Sequence, residues 1–272
     1  MSFTEVSAFH EESVALDALV ADLGDATLQS ATQFKDWRVA DILRHLAVWN
    51  DAAALTLTDP PAFGRFFAEL MQAMQSGGSL VDFEQSLVPS ASPGQHRENW
   101  RQSYLALNDL YRDADPKTRV QWGGPDMSLR SCISARLMET WAHGQAIFDL
   151  CGIERIEHER IRNIVVLGIN TFAFNFRING LPVPEQAPKV TLTSPGGETW
   201  QFNTDSTSGE VVGYAHEFCQ VVTQVRNVAD TALTVKGETA LTWMRIAQCF
   251  AGPPTQPPAA GTRFIQRPEH HE

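Results

Sequence analysis

Over four stretches in the first half of the chain, apolar positions recur every three or four residues. Leu16, Leu19, Val20 and Leu23 form one stripe that runs out at Gly24, so a first helix is predicted over residues 4–23. After the polar connection TLQSATQFKD, Val39, Ile42, Leu43, Leu46 and Trp49 make the apolar arc of a second helix, with His45 just beside it. Residues 59–95 are looser: Phe63, Phe66, Phe67, Leu70 and Met74 suggest a helical segment, while SGGSL and VPSASPG read as loops. Trp100, Tyr104, Leu107 and Tyr111 mark a third helix over about 97–112. The loop ADPKTRVQWGGPDMS then leads into a fourth, residues 131–151. Four amphipathic helices with one long crossover predict a four-helix bundle, in which metal sites are built from inward side chains of facing helices.

The pattern changes after Gly152. Ile161, Ile164, Val165, Gly168, Phe172 and Phe176 predict a connecting helix that stops at Asn179-Gly180. KVTLTS and ETWQFN flank Pro195-Gly196-Gly197, a hairpin signal. A helix is predicted over about 210–225, then a strand in ALTVK, then a last helix over 238–250. The predicted class is therefore α+β, with a helical bundle over 1–153, a smaller α+β domain over 154–256 and a proline-rich flexible tail over 257–272. His270 and His271 in that tail read as solvated.

Chemistry concentrates on the fourth predicted helix. At about 100° per residue, one face carries Cys132, Ala135, Glu139, His143, Ala146 and Leu150, with Ile147 beside it. Small and apolar neighbours point this face into a core, and in its middle a carboxylate and an imidazole sit one turn apart. An ionised carboxylate in a core must be paired, protonated or bound to a metal. Two readings stay open on the residues alone: Glu139 and His143 as two metal ligands lacking a third, or an internal ion cluster with Arg136. His45 likewise reads as either a ligand or a core histidine bonded to a carbonyl.

Composition narrows the partners. The net charge of −11 and a pI near 5.2 argue against nucleic acid and against an anionic membrane surface. No apolar run approaches the ~20 residues of a membrane span, and MSFTEVSAFHEES lacks the positive region of a secretory signal. The four cysteines are far apart with no CxxC spacing, which fits a reducing, cytoplasmic setting and gives no structural zinc knot.

Three fragments carry a resemblance: WRVADILRHL over 37–46, ETWAH over 139–143 and AQCFAGPP over 247–254. Together they resemble the mycothiol-dependent maleylpyruvate isomerase family of the DinB-like superfamily, across nearly the whole chain. The resemblance implies a DinB-like bundle followed by a sterol-carrier-like α+β domain. It also implies a divalent metal, most often zinc, held by His45, Glu139 and His143, a set of two histidines and one glutamate that suits an open zinc site. Catalysis in the family involves an arginine of the second domain, for which Arg226 in TQVRN is the best match, with Arg177 and Arg245 as further anion contacts. Trp49, Arg136 and Arg177 are the candidate substrate contacts.

Such a site implies thiol chemistry. A thiol replacing water on the ion loses its proton at neutral pH, and the thiolate is the nucleophile. With mycothiol as co-substrate, addition and elimination would isomerise a small electrophile, whereas retention or displacement would make an S-transferase; transfer is slightly preferred. A competing reading is a non-catalytic metal-bound sensor or a small-molecule or lipid carrier, with the apolar run 161–176 lining its pocket, although the helical spacing of its phenylalanines favours inter-domain core. A third, hydrolysis by a metal-bound hydroxide, lacks a nominated general base.

Overall fold

Helix ends in the first half are set by caps written into the sequence. In the computed structural model, which describes residues 3–89, 91–124 and 126–267, helix α1 spans Thr4–Val20 and a single turn, α2, spans Asp25–Leu28. Helix α3 is Val39–Thr58; the Arg38 backbone N–H donates to Asp41 Oδ2 at its start, over 3.0 Å. Asp59 then caps α4 (Pro60–Gln75) through the Ala62 N–H, with prolines in its first turn. Ser79 caps α5 (Leu80–Leu87) through the Asp82 N–H, and Ser92 and Gln95 form a reciprocal box at the start of α6 (Pro93–Arg112). A two-residue ladder of β1 (Arg119–Val120) and β2 (Met127–Ser128) precedes the long α7 (Leu129–Cys151).

The chain divides into two compact units, Met1–Ile147 and Phe148–Glu272, so the division falls inside α7. In the first unit α3 and α6 pack along each other, with α1 against α6. Their contact is filled by Phe9, Leu16, Ile42, Leu43, Leu46, Trp100, Leu107 and Tyr111, all essentially removed from water. α7 joins this core through Ile133, Leu137 and Trp141 and through hydrogen bonds to α3 and α6. The four long helices α1, α3, α6 and α7 are the bundle the periodicity predicted. Residues 81–87, left without an element between the two expected loops, form with Leu80 the capped helix α5, because Ser79 followed by Asp82 supplies a helix start.

The second unit is α+β. A 3₁₀ turn (Glu159–Ile161) leads into α8 (Arg162–Asn170) and α9 (Phe172–Ile178). The single connecting helix expected here is broken at Thr171, whose hydroxyl donates to the carbonyls of Leu167 and Gly168. β3 (Lys189–Thr193) and β4 (Thr199–Phe202) form the expected hairpin. Residues 210–214, expected to open a helix, are instead strand β5 (Glu210–Tyr214), which runs parallel to β3 with Val211 buried between neighbours. Adjacent valines favour the pleated surface, and the helix α10 starts only at Ala215 and ends at Val222. β6 (Thr234–Lys236) completes a sheet of order β4-β3-β5-β6, and α11 spans Glu238–Ile246. Phe172, Phe176, Phe218 and Trp243 pack ring against ring inside this unit, so these phenylalanines are core, as their helical spacing favoured, rather than the lining of a lipid pocket.

The tail also departs from expectation over residues 257–267. Asn227 donates to the Pro258 carbonyl, Gly261 donates to Asp230, Arg263 to the Gln224 carbonyl, and the Gln266 N–H to the Asp149 carbonyl. Those bonds strap it to the second unit; a proline-rich composition does not show them, since each partner is distant in sequence. His270 and His271 lie outside the described residues. Among the described residues the four cysteines form no disulfide. Among the described residues no helix is long and apolar enough to cross a membrane.

Candidate metal centre

α3 and α7 face each other so that His45, nearly two turns into α3, meets the i,i+4 pair on α7. His45 Nε2 lies 3.6 Å from Glu139 Oε2, and His143 Nε2 lies 3.1 Å from the same oxygen. One donor atom from each of the three residues falls within 4.8 Å of the others. Zinc bonds of about 2.0–2.2 Å place neighbouring ligand atoms of a tetrahedral set about 3.3 Å apart, so this donor set fits a divalent ion of that size. The face is not sealed: the Glu139 side chain keeps 23% of its exposure, against 8% and 10% for the two imidazoles. The site opens on the carboxylate side.

Each imidazole is oriented by a different device. His45 donates from Nδ1 to Glu84 Oε1 over 2.7 Å, and Trp49 Nε1 donates to the same oxygen over 3.0 Å. His143 is held by rings: Trp37 stacks on it at 4° with centroids 5.7 Å apart, and Phe34 meets it edge-on at 4.8 Å. Both rings come from the turn before α3, where Trp37 N–H closes back on the Phe34 carbonyl. The two central residues, Lys35 and Asp36, have φ of 53° and 58°, the left-handed signature of a type I′ turn made here without glycine or asparagine.

Charge separates the two imidazoles in the metal-free protein. Burial works against a proton on His45, but the Glu84 and Glu139 carboxylates outweigh it and lift its pKa to about 9. Burial depresses the pKa of His143, assisted by the positive charge on His45 and opposed by the hydrogen bond to Glu139. Burial would raise Glu139, yet the hydrogen bonds from His143 and His45 prevail and hold it well below the usual carboxylate range.

The other sequence-predicted residues sit as follows. Arg136 is 1% exposed and spends its guanidinium on Asn50 Oδ1 (3.0 Å) and the Leu46 carbonyl (3.4 Å) rather than on Glu139. That takes the arginine out of the alternative Arg–Glu–His ion cluster, and it leaves Arg136 without an open face for a substrate. Trp49 is half-buried, its N–H used by Glu84 and its ring against Phe66 and Trp122. Arg226 belongs to the second unit, where it is buried and ion-paired with Asp149 at 2.7 Å. Arg177 and Arg245 are exposed on α9 and α11 of that unit. Glu84, Phe34 and Trp37 are site residues the sequence reading did not nominate. The Ser79–Asp82 cap was the available signal for the helix that carries Glu84.

A family model described as the mycothiol maleylpyruvate isomerase N-terminal domain matches residues 9–148, a span that holds all three donors. The chain belongs to the mycothiol maleylpyruvate isomerase family. Two uncharacterized proteins of Mycobacterium tuberculosis, from strains CDC 1551 / Oshkosh and ATCC 25618 / H37Rv, are 36% identical to it over 251 residues. The match covers 92% of this chain and 96% of theirs. Crystal structures of a mycothiol-dependent maleylpyruvate isomerase and of a histidine-to-alanine mutant of it superpose with a TM-score of 0.55, over 93% of this chain and 95% of that one. At 12% identity that likeness is one of fold.

Proposed function

We propose that this family member is a metal-dependent enzyme that uses a low-molecular-weight thiol, mycothiol, as co-substrate. In this reading His45, Glu139 and His143 hold a divalent ion, zinc by preference of the donor set. The observation that carries it is the convergence of three donor atoms within 4.8 Å, with one imidazole steered by a carboxylate and the other by stacked rings. A divalent ion held there supplies a Lewis acid that favours the thiolate form of a bound thiol.

The chain's own residues do the rest. Trp37 and Phe34 shield one side of His143 from water, and Glu84 with Trp49 closes the site behind His45. Buried Arg136 partly offsets the two carboxylates, Glu84 and Glu139. Counted with a divalent ion, two carboxylates and one guanidinium leave a single positive charge, which one thiolate neutralises. The partly open side at Glu139 is where thiol and electrophile would enter. Attack of the thiolate on the electrophilic carbon is common to thiol-assisted isomerisation and to S-transfer. The family name favours the first outcome, and the electrophile decides between them.

Isothermal titration of the protein with mycothiol, with and without prior chelation, tests the reading. Binding that disappears on chelation and returns with Zn²⁺ supports it; binding indifferent to the metal, or none in the zinc-loaded protein, defeats it.

A further inference from the structure

Glu84 is fully buried on α5, an eight-residue helix separate in the chain from α3 and α7 and packed against α3. Its Oε1 accepts two hydrogen bonds, from His45 Nδ1 and from Trp49 Nε1, while Oε2 is buried with no hydrogen-bond partner. A buried carboxylate with one oxygen unpartnered is costly unless its charge serves a nearby cation or polarised donor. The cation of this neighbourhood, Arg136, gives its hydrogen bonds to Asn50 and Leu46, and Arg44, one residue before His45, gives its own to Gln85, Asp41 and the Val81 carbonyl. The Glu84 charge is therefore directed at the imidazole. In the neutral imidazole that a metal would bind, a proton on Nδ1 toward Glu84 leaves the lone pair on Nε2, the atom that faces Glu139.

We infer that Glu84 is a positioning residue that fixes the tautomer and ring angle of His45, so that Nε2 is the donor presented to the metal. The inference rests on His45, Glu139 and His143 being the metal ligands. Trp49, expected from sequence to contact substrate, acts here as the second anchor of the same carboxylate. Both hydrogen bonds converge on one oxygen, so the Glu84 side chain cannot rotate without breaking both. His143 has no such partner at Nδ1, where the atom is buried and unpaired, and relies on the Trp37 stack. The two ligands thus differ in how tightly their ring planes are set.

The test measures Zn²⁺ affinity by competition with a chromophoric chelator in wild type, Glu84→Gln and Glu84→Ala. It adds nitrogen-15 assignment of the His45 ring in zinc-loaded wild type. Glu84→Ala should weaken zinc about 10- to 100-fold. Glu84→Gln keeps an acceptor oxygen for both donors but loses the charge, so it should weaken zinc less. In wild type the ring proton should sit on Nδ1, which a merely structural glutamate would not dictate. A proton on Nε2, or zinc affinity within about twofold of wild type in both variants, would overturn the inference alone. Failure of wild type to bind zinc would overturn the ligand reading and this inference with it. Should Glu84→Ala not fold, the glutamine variant and the wild-type assignment decide it.

Discussion

Arg226 is the residue for which the sequence suggested a catalytic part and the structure gives a partner, and the two roles differ in a measurable way. Its guanidinium lies 2.7 Å from Asp149 Oδ1, with side chains 9% and 3% exposed. At an effective dielectric near 20, unit charges about 4 Å apart attract by about 4 kcal/mol, and breaking a buried pair from one side costs about 3–5 kcal/mol. Arg263 lies close enough that the Arg226 charge adds to burial in lowering its pKa, so removing Asp149 also exposes a repulsion between two arginines. Asp149→Asn, which keeps an acceptor oxygen but no charge, should therefore cost about 3 kcal/mol in urea denaturation. Replacing both partners, Asp149→Leu with Arg226→Met, also removes two desolvation penalties and should recover at least about half of that loss. An arginine kept for an external anion would lose little when Asp149 is neutralised. A single-variant cost below about 1 kcal/mol, or a double variant as unstable as the summed singles, would refute the structural assignment.

Three further outcomes follow from the geometry and the charges around it. His45 titrates near 9 in the metal-free protein, so its contribution to metal-free stability is complete below about 6.5 and fades as pH rises through about 9. At pH 7.5 it is about 97% protonated, so zinc binding should release about one proton, against about 0.2 for two unperturbed imidazoles; calorimetry in buffers of different ionisation enthalpy reads the difference. In the second unit, a β-carbon on Gly168 would meet both Val222 methyls at 2.9 Å and Phe218 at 3.0 Å. Gly168→Ala should destabilise by about 1–3 kcal/mol in the same urea assay, and an unchanged midpoint would contradict that packing.

What was legible in the sequence was what local periodicity and chemistry carry. The long stripes of α3, α6 and α7 and the Pro195-Gly196-Gly197 hairpin are properties of contiguous residues. The Glu139–His143 spacing puts both on one helical face, and the family resemblance supplied His45. Contacts between residues far apart in sequence were not legible. Glu84 is 39 residues from His45 and 55 from Glu139, on a short helix that follows a glycine-rich run, and nothing local marks its carboxylate as aimed inward. β5 has a helix-compatible pattern; its parallel partner β3, some 20 residues earlier, decides the matter. The strapping of residues 257–267 depends on Asp149, Gln224, Asn227 and Asp230, none of them neighbours in sequence.

Metal content of the purified protein, measured beside His45→Ala and His143→Ala, tests the centre of the account most directly. The reading predicts about one divalent ion per chain in wild type and loss of it in both variants, with the bundle still folded by circular dichroism. Stoichiometric metal retained in both variants would contradict it.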